Sequence, residues 1–193
     1  MTIRPARRTD TGVAELQHGS APDLLDEVFG ADVLAFLARD FRYGRGIYGF
    51  RQQLVVDVGG AVAASCTVYR GGRAGTLSAA TALTVVRHYG AAAARVLRRS
   101  LAVGAAFSPP ARDGLLLANL CTAESVRGQG IGTALVEHVV ALARASGSGV
   151  VELDVSTANP RAQLLYERLG FEVAGERAHR LGGDRFRRMR RLV

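Results

Sequence analysis

The stretch LLLANLCTAESVRGQGIG, residues 115–132, contains the features that decide how this chain folds. Its first part, residues 115–122, is a nearly continuous apolar run, which is typical of a central strand buried on both faces. A glycine-rich segment, 127–132, follows. After it, apolar residues recur at the spacing of one helix face, at Ile131, Leu135, Val139 and Leu142. The stretch therefore predicts a strand, a glycine loop and an amphipathic helix, in that order.

The glycine loop predicts a site for an anion. Glycines at 128, 130 and 132 allow the backbone to approach a ligand closely. The N–H groups at the start of the following helix then meet that ligand with the positive end of the helix dipole, and a pyrophosphate suits such a site. A Rossmann dinucleotide fingerprint would need a glycine where this chain has Thr133. A tight glycine-rich connection that binds nothing is the other alternative.

Residues before this stretch predict a short strand, helices and a hairpin. Residues 2–4 are strand-like, and residues 21–42 have helical spacing that Gly30 and Gly44 interrupt, which suggests two helices. Two apolar segments, 54–58 and 61–69, flank Gly59-Gly60, and paired glycines favour a tight hairpin turn.

The remaining segments alternate helix and strand. Residues 76–106 are rich in alanine and predict two helices broken near Gly90 and closed by Ser108-Pro109-Pro110. Residues 150–156 predict a strand. Asn159-Pro160 then suits a helix start and Gly170 a helix end. Residues 171–174 and 185–191 predict two closing strands. We therefore expect residues 1–193 to form a single α/β domain with a mixed sheet and a helical insertion at about 74–110.

Composition excludes several classes of protein. The net charge is +8, and all 25 basic residues are arginine. A chain without lysine has neither a Walker-A loop nor a Schiff-base lysine. Arginines crowd near the C-terminus, at 177, 180, 185, 187, 188, 190 and 191. We interpret them as a solvated strand face rather than a nucleic-acid contact, because no aromatic residues are interleaved with them.

The cysteine, metal and membrane signals are weak. Cys66 and Cys121 lie in strand-like segments and are expected to be buried reduced thiols. The sequence has no zinc-ligand spacing, so no metal is expected. No signal peptide and no membrane-length apolar run are recognisable. We therefore expect a cytoplasmic protein without a membrane partner.

Two segments together carry a resemblance to a known family. The loop Arg127–Gly132 fits the pattern [Q/R]-x-x-G-x-[G/A], and Asn159, Tyr166 and Leu169-Gly170-Phe171 follow in order. This combination resembles the GNAT superfamily of N-acetyltransferases, most strongly from 115 to 171. The resemblance implies a single-domain mixed sheet of about seven strands with flanking helices, splayed around acetyl-CoA as the cofactor.

The resemblance also implies roles for individual residues. Backbone groups at the end of the central strand would face the thioester and the pantetheine arm: Leu120, Cys121 and Thr122. The glycine loop would hold the pyrophosphate: Arg127, Gly128, Gln129, Gly130, Ile131, Gly132 and Thr133. Asn159 would contact the cofactor arm, besides its role as a helix cap. Tyr166 would be the general acid that protonates the departing thiolate. A tyrosine seven residues after Asn159 lies on the same helix face.

The base that accepts the amine proton is less clearly marked. By matched position the candidate is Asp154, which strand alternation places on the same face as Glu152. Other carboxylates near the central strand are Glu124 and Asp113, while His88 and Tyr89 lie in the helical insertion. A water chain without any dedicated base is a further alternative.

The sequence thus predicts an N-acetyltransferase that moves an acetyl group from acetyl-CoA to a primary amine of a small molecule or protein. A non-catalytic acyl-CoA-binding module on the same fold is the alternative, and nucleic-acid binding through the arginines is a third. Residues 20–50, 70–112 and 176–184 would line the acceptor site. The positive charge makes polyamines poor acceptors. The insertion suits either a lid or a homodimer surface.

Overall fold

One seven-stranded mixed sheet organises the chain, as the sequence predicted. The computed structural model describes residues 1–107, 109–178 and 185–193. The strands are β1 Thr2–Pro5, β2 Gln53–Val58, β3 Ala61–Arg70, β4 Leu115–Thr122, β5 Val150–Ser156, β6 Glu172–Ala178 and β7 Arg185–Leu192. Their order is β1-β2-β3-β4-β5-β7-β6. The pair β4–β5 is parallel and the other pairs are antiparallel.

The helices lie between these strands. They are α1 Val13–Gly19, α2 Pro22–Phe29, α3 Val33–Tyr43, α4 Ala74–Tyr89, α5 Ala93–Gly104, α6 Ile131–Ala145 and α7 Pro160–Arg168. Gly30, Gly44 and Gly90 follow α2, α3 and α4, and all three have positive φ angles, so these glycines end helices as predicted. Helix α1 was not predicted. Across the part of the chain that the structure describes, no helix is both long and apolar enough to cross a bilayer.

Among the described residues, the interior contains two large apolar clusters and a smaller third one around Phe41 and Val55. One lies against the sheet under α6 and includes Val136, Val139 and Val140, together with Leu153 of β5 and Met189 of β7. The other large cluster joins α2, α3, α4 and α5 around Phe36 and Leu37, and its buried members all lie on helices. A large cavity lies between α2, α4, α5 and the edges of β4 and β5.

Two expectations about burial are wrong. Leu142 is 36% exposed, although the other three residues of the predicted face, Ile131, Leu135 and Val139, are buried, because the buried face of α6 ends at Ala143 instead. The central strand β4 is buried only at its start, over residues 115–117, and is half-buried from 118 to 122. The second half of β4 is only half-buried because β5 pairs with β4 at residues 115 and 116 alone, and the cavity lies beside β4 beyond that point.

Several predicted features fall outside the described residues. They are Ser108, which was expected to help close the insertion, Arg180 of the C-terminal arginine group, and residues 179–184 of the segment expected to line the acceptor site. The insertion itself is present as α4 and α5 between β3 and β4.

Candidate active site

The two parallel strands β4 and β5 separate soon after they pair. Their register contains only Leu115 opposite Val151 and Leu116 opposite Glu152. Farther along, Ala118–Leu120 of β4 and Asp154–Ser156 of β5 all line the same cavity. The strands therefore open into a V. Backbone groups on its inner edges have no partner strand there and are available to a ligand.

A bulge in β4 changes the direction of the backbone at the opening of the V. The register with β3 shifts between Ser65 opposite Cys121 and Thr67 opposite Ala118. Asn119 has a φ of 49°, the one positive φ among the described residues other than glycine. Its amide nitrogen Nδ2 donates to Thr67 Oγ1 at 3.0 Å, which stabilises the bulge. Bulges next to sites typically re-aim the chain, and here the bulge lies at Leu120.

The glycine loop has the geometry of an anion cradle. Gly128 and Gly130 have φ angles of 80° and 77°. A Cβ atom at either position would meet nothing within 4 Å, so both glycines border open space. The N–H of Ala134 makes the first helical bond of α6, to Gly130 O at 3.0 Å. The N–H groups of residues 131–133 therefore precede the helical ladder and are directed at the loop.

The loop, the bulge and helix α7 come together. A Cβ on Gly132 would lie 3.8 Å from both Leu165 and Thr122, and 3.9 Å from Leu120. Arg127 ties the loop to the end of β4, since its Nε donates to Thr122 O at 3.2 Å and its Nη1 pairs with Glu124 at 3.2 Å. Sequence segments that lie about 30 residues apart thus form one surface.

Asn159, which precedes α7, and Tyr166, which lies on it, both line the cavity. Asn159 caps the helix, because its side-chain oxygen accepts from Ala162 N at 3.1 Å. The cap predicted from sequence is therefore confirmed, and contact with a cofactor stays a prediction. Tyr166 is 8% exposed and packs edge-on against Phe171 at 5.8 Å between ring centres. Burial raises the pKa of its hydroxyl, so the group keeps its proton over the range of an enzyme assay.

Asp154 has a partner that sequence reasoning missed. Its two carboxylate oxygens accept from Arg188 Nε at 2.8 Å and Nη2 at 2.7 Å. Glu152 lies 3.6 Å from the same guanidinium, which confirms that the two carboxylates share a face. Burial raises the pKa of Asp154, and the hydrogen bonds from Arg188 oppose that change. The paired position of Asp154 and Arg188 on β5 and β7 depends on a pairing that no local motif reveals.

The arginine group is therefore only partly a solvated face. Arg188 is 7% exposed, which contradicts the expectation for that residue, because β7 lies next to β5 and turns Arg188 towards Asp154. Arg185 and Arg187 do lie at the surface, paired with Glu176. Both cysteines are free thiols as expected, but only Cys66 is buried, whereas Cys121 is half-buried.

The other base candidates lie away from the V. Glu124 and Asp113 are exposed. His88 packs edge-on against Phe36 at 5.8 Å, and the Tyr89 hydroxyl donates to Phe29 O at 2.9 Å. Of these four, none is among the described residues that line the cavity. No cluster of metal-ligating side chains occurs in the ranges 1–107, 109–178 and 185–193.

The cavity that begins in the V measures about 870 Å³. Its inner part is lined by Leu120, Asp154, Asn159 and Tyr166, and its outer part by α2, α4 and α5. Tyr69 of β3 also lines it, and burial raises the pKa of that hydroxyl to about 12. Residues 20–48 and 78–110 contribute to the wall, which agrees with the expectation for the N-terminal helices and the insertion.

The fold and this site define a mixed α/β protein with the GNAT architecture. Among solved structures, an N-acetyltransferase from Staphylococcus aureus Mu50 superimposes with a TM-score of 0.75 at 20% identity, covering 98% of this chain and 100% of that one. Residues 90–171 match the model of the acetyltransferase (GNAT) family. The matched residues make up less than half of the chain, and the match agrees with the family that the sequence resembles.

Two curated proteins resemble parts of the chain. The 5-NmdU N-acetyltransferase of Pseudomonas phage PaMx11 is 40% identical over 62 residues, which are 32% of this chain and 40% of that protein. N-acetyltransferase 8F1 of Rattus norvegicus is 41% identical over 69 residues, 36% of this chain and 31% of that protein. The chain thus matches less than half the length of either curated relative.

Proposed function

We propose that this protein transfers an acetyl group from acetyl-CoA to a primary amine. The observation that carries the proposal is that the glycine cradle lies against Leu120 at the β4 bulge and against Leu165 of α7, and that Leu120 and Tyr166 line one cavity. GNAT proteins generally use acetyl-CoA, and two relatives are named N-acetyltransferases.

The glycine loop and the end of β4 have the groups needed to bind acetyl-CoA. The N–H groups of residues 131–133 and the positive end of α6 suit the pyrophosphate, while Gly128 and Gly130 leave the space it needs. Between the strands of the V, the backbone of Leu120, Cys121 and Thr122 suits the pantetheine amides. A backbone N–H at the bulge would polarise the thioester carbonyl, a fixed dipole that stabilises developing negative charge.

Proton transfers would involve two side chains. Tyr166 would donate its hydroxyl proton to the sulfur as the carbon–sulfur bond breaks, and burial keeps that proton in place beforehand. Asp154 would accept the proton of the attacking amine, directly or through a water molecule. Each of its carboxylate oxygens has a second lone pair beyond the bond to Arg188.

The test combines binding with turnover. Calorimetry with CoA should give a one-to-one complex, and acetyl-CoA mixed with a panel of primary amines should release free thiol only when a suitable amine is present. Binding of CoA without thiol release from any amine would favour the alternative, a non-catalytic acyl-CoA-binding module. Absence of CoA binding would contradict both functions. Cytoplasmic location and a homodimer stay predictions of the sequence.

A further inference from the structure

The cavity as a whole is larger than the acetyl group of the proposed function requires. A volume of about 870 Å³ is in the range of pockets that enclose drug-sized ligands, roughly 300–1,000 Å³. In the proposed function the donor would take the inner end, between Leu120 and Tyr166. The remaining space would then lie beyond the thioester, where an acceptor approaches, and α2, α4 and α5 form its wall.

The wall of this outer part is mainly hydrocarbon. Its apolar residues come from α2, α5 and the segment after α5, and they include Leu24, Leu25, Val28, Phe29, Leu97 and Phe107. Phe29 is fixed by stacking on Phe36 at 4.4 Å, and Phe107 lies edge-on to Phe186 at 5.0 Å. A ligand with a large apolar body would release ordered water from this wall, at a gain of about 25 cal/mol per Å² buried.

The boundary between the inner and outer parts is polar. Asp154 lines the cavity there, together with Tyr69 and the Arg188 guanidinium that holds it. An amine can donate a hydrogen bond to the Asp154 carboxylate. A long acyl chain passing the same point would cover the ion pair with methylene groups and remove its remaining hydration, which is costly. The polar boundary therefore favours an amine over a longer acyl group.

We propose that the cavity binds the acceptor as a primary amine carried on a large apolar body, such as an arylalkylamine. The nitrogen lies at Asp154 and the apolar body against α2 and α5. This inference rests on the proposed function and names its substrate class. The amine lone pair forms the carbon–nitrogen bond, the carbon–sulfur bond breaks, the nitrogen loses one proton and the thiolate gains one. The products are an N-substituted acetamide and free CoA.

An amine series tests the substrate class at saturating acetyl-CoA. We expect kcat/KM to rise from ethylamine through 2-phenylethylamine to 2-(1-naphthyl)ethylamine, by about four-fold for each buried methylene equivalent. Ethanolamine and spermidine should be poor acceptors, since neither has a large apolar group to bury against the outer wall. Equal or better turnover of ethanolamine or spermidine would overturn the proposal.

A pair of variants on α4 locates the site. Ala82 is half-buried and lines the cavity, whereas Ala79 is exposed and lies outside the lining. Ala82→Phe fills part of the outer space, so that a bulky acceptor loses room that a small acceptor does not need. We expect the preference for 2-(1-naphthyl)ethylamine over ethylamine to fall by roughly ten-fold. Ala79→Phe adds the same ring to the same helix and should leave the preference unchanged. Circular dichroism melts check that both variants fold.

Two further measurements separate this inference from the proposed function. Replacing acetyl-CoA by octanoyl-CoA tests whether the space belongs to the donor. Faster turnover of octanoyl-CoA that Ala82→Phe abolishes would overturn the inference and leave acyl transfer intact. Calorimetry of 2-(1-naphthyl)ethylamine with the protein alone tests the cavity without the donor. Binding that Ala82→Phe weakens supports the amine site even if CoA does not bind. Absence of amine binding, with CoA bound or not, would count against it.

Discussion

Two regions of the molecule, which we call the donor half and the acceptor half after the roles proposed for them, differ in how far the sequence predicts their structure. The donor half, residues 115–171, forms strand, glycine loop, helix, strand and helix in immediate succession, and its parts meet within a few ångströms at Gly132. The acceptor half consists of α2, α3, α4 and α5, and it contributes an apolar wall with no recognisable motif. A ligand that is always the same can be recognised by a fixed motif, whereas a variable acceptor is recognised by the shape and polarity of a cavity.

The largest expected effect lies in the donor half. Gly130→Asp places a side chain and a negative charge in the cradle, at a φ of 77° that favours glycine. We expect CoA affinity measured by calorimetry to fall about 100-fold, since a lost hydrogen bond to a charged group costs roughly 1.5–3 kcal/mol. Gly147→Asp is the matched control, because Gly147 has a φ of 69° and open space around it but lies at the other end of α6. Equal losses in both variants would refute the anion cradle.

The second effect separates chemistry from packing. Tyr166→Phe keeps the ring against Phe171 and removes the proton donor. We expect kcat to fall roughly 10²-fold with acetyl-CoA affinity within a few-fold, measured by thiol release and calorimetry. Tyr89→Phe removes a hydroxyl that bonds Phe29 O in the acceptor half, and it should cost stability without lowering kcat. Wild-type turnover in Tyr166→Phe would assign that residue to packing alone.

The third effect concerns the boundary between the halves. The rate should rise with pH through the titration of the group that accepts the amine proton, and burial places Asp154 above the usual carboxyl range. Asp154→Asn should remove that rise from the kcat/KM profile and lower the plateau roughly 10²-fold.

The control for Asp154 is Glu176→Gln, which breaks an exposed carboxylate–arginine pair on the neighbouring strands. It should leave the kcat/KM profile unchanged. If the profile of Asp154→Asn coincides with that of the wild type, the proton goes to water and Asp154 has a structural role with Arg188.

The smallest effect is on the stability of the acceptor half. Asp40 of α3 is fully buried and accepts from Thr84 Oγ1 at 2.7 Å, from Thr81 Oγ1 at 3.2 Å and from Tyr48 N at 3.2 Å. Burial raises its pKa. A raised carboxyl pKa means that the folded state loses stability as pH increases beyond the ordinary Asp range.

We therefore expect the free energy of unfolding of Asp40→Asn to increase relative to that of the wild type as the pH rises from about 3 to neutral. Urea unfolding curves recorded across that range measure it. Asp10→Asn should show the opposite trend, because hydrogen bonds from Arg4 lower the pKa of Asp10 and its contribution is lost only as pH falls. If the free energies of unfolding of the wild type and Asp40→Asn change with pH in parallel, Asp40 has the same pKa in the folded and unfolded states.

Most of the donor half could be predicted from the sequence because its signals are local. Gly128 and Gly130 adopt the positive φ angles for which glycine is selected, and Asn159 caps α7 with its own side chain. The paired glycines 59 and 60 likewise close the β2–β3 hairpin. In each case the residue itself imposes the conformation, so neighbours in sequence suffice to recognise it.

The errors all involve contacts between distant segments. Leu142 fits the helical period, yet it is exposed, because the sheet covers α6 at Ile131, Leu135 and Val139 but not at Leu142. Arg188 resembles its arginine neighbours in sequence and is buried only because β7 pairs with β5. The half-burial of β4 beyond Leu117 follows from the separation of β4 and β5, which depends on the strands and helices around them.

The sequence by itself determined the order of the strands and of the helices other than α1, the turns, the caps and the glycine loop, because backbone preferences act over a few residues. Only the tertiary structure decided that Arg188 holds Asp154, that the bulge at Asn119 opens beside Tyr166, and that α2, α4 and α5 enclose an apolar cavity. These features join residues 34 to more than 100 positions apart. Strand pairing and side-chain packing across the whole chain bring them together, and no short segment carries the information for that.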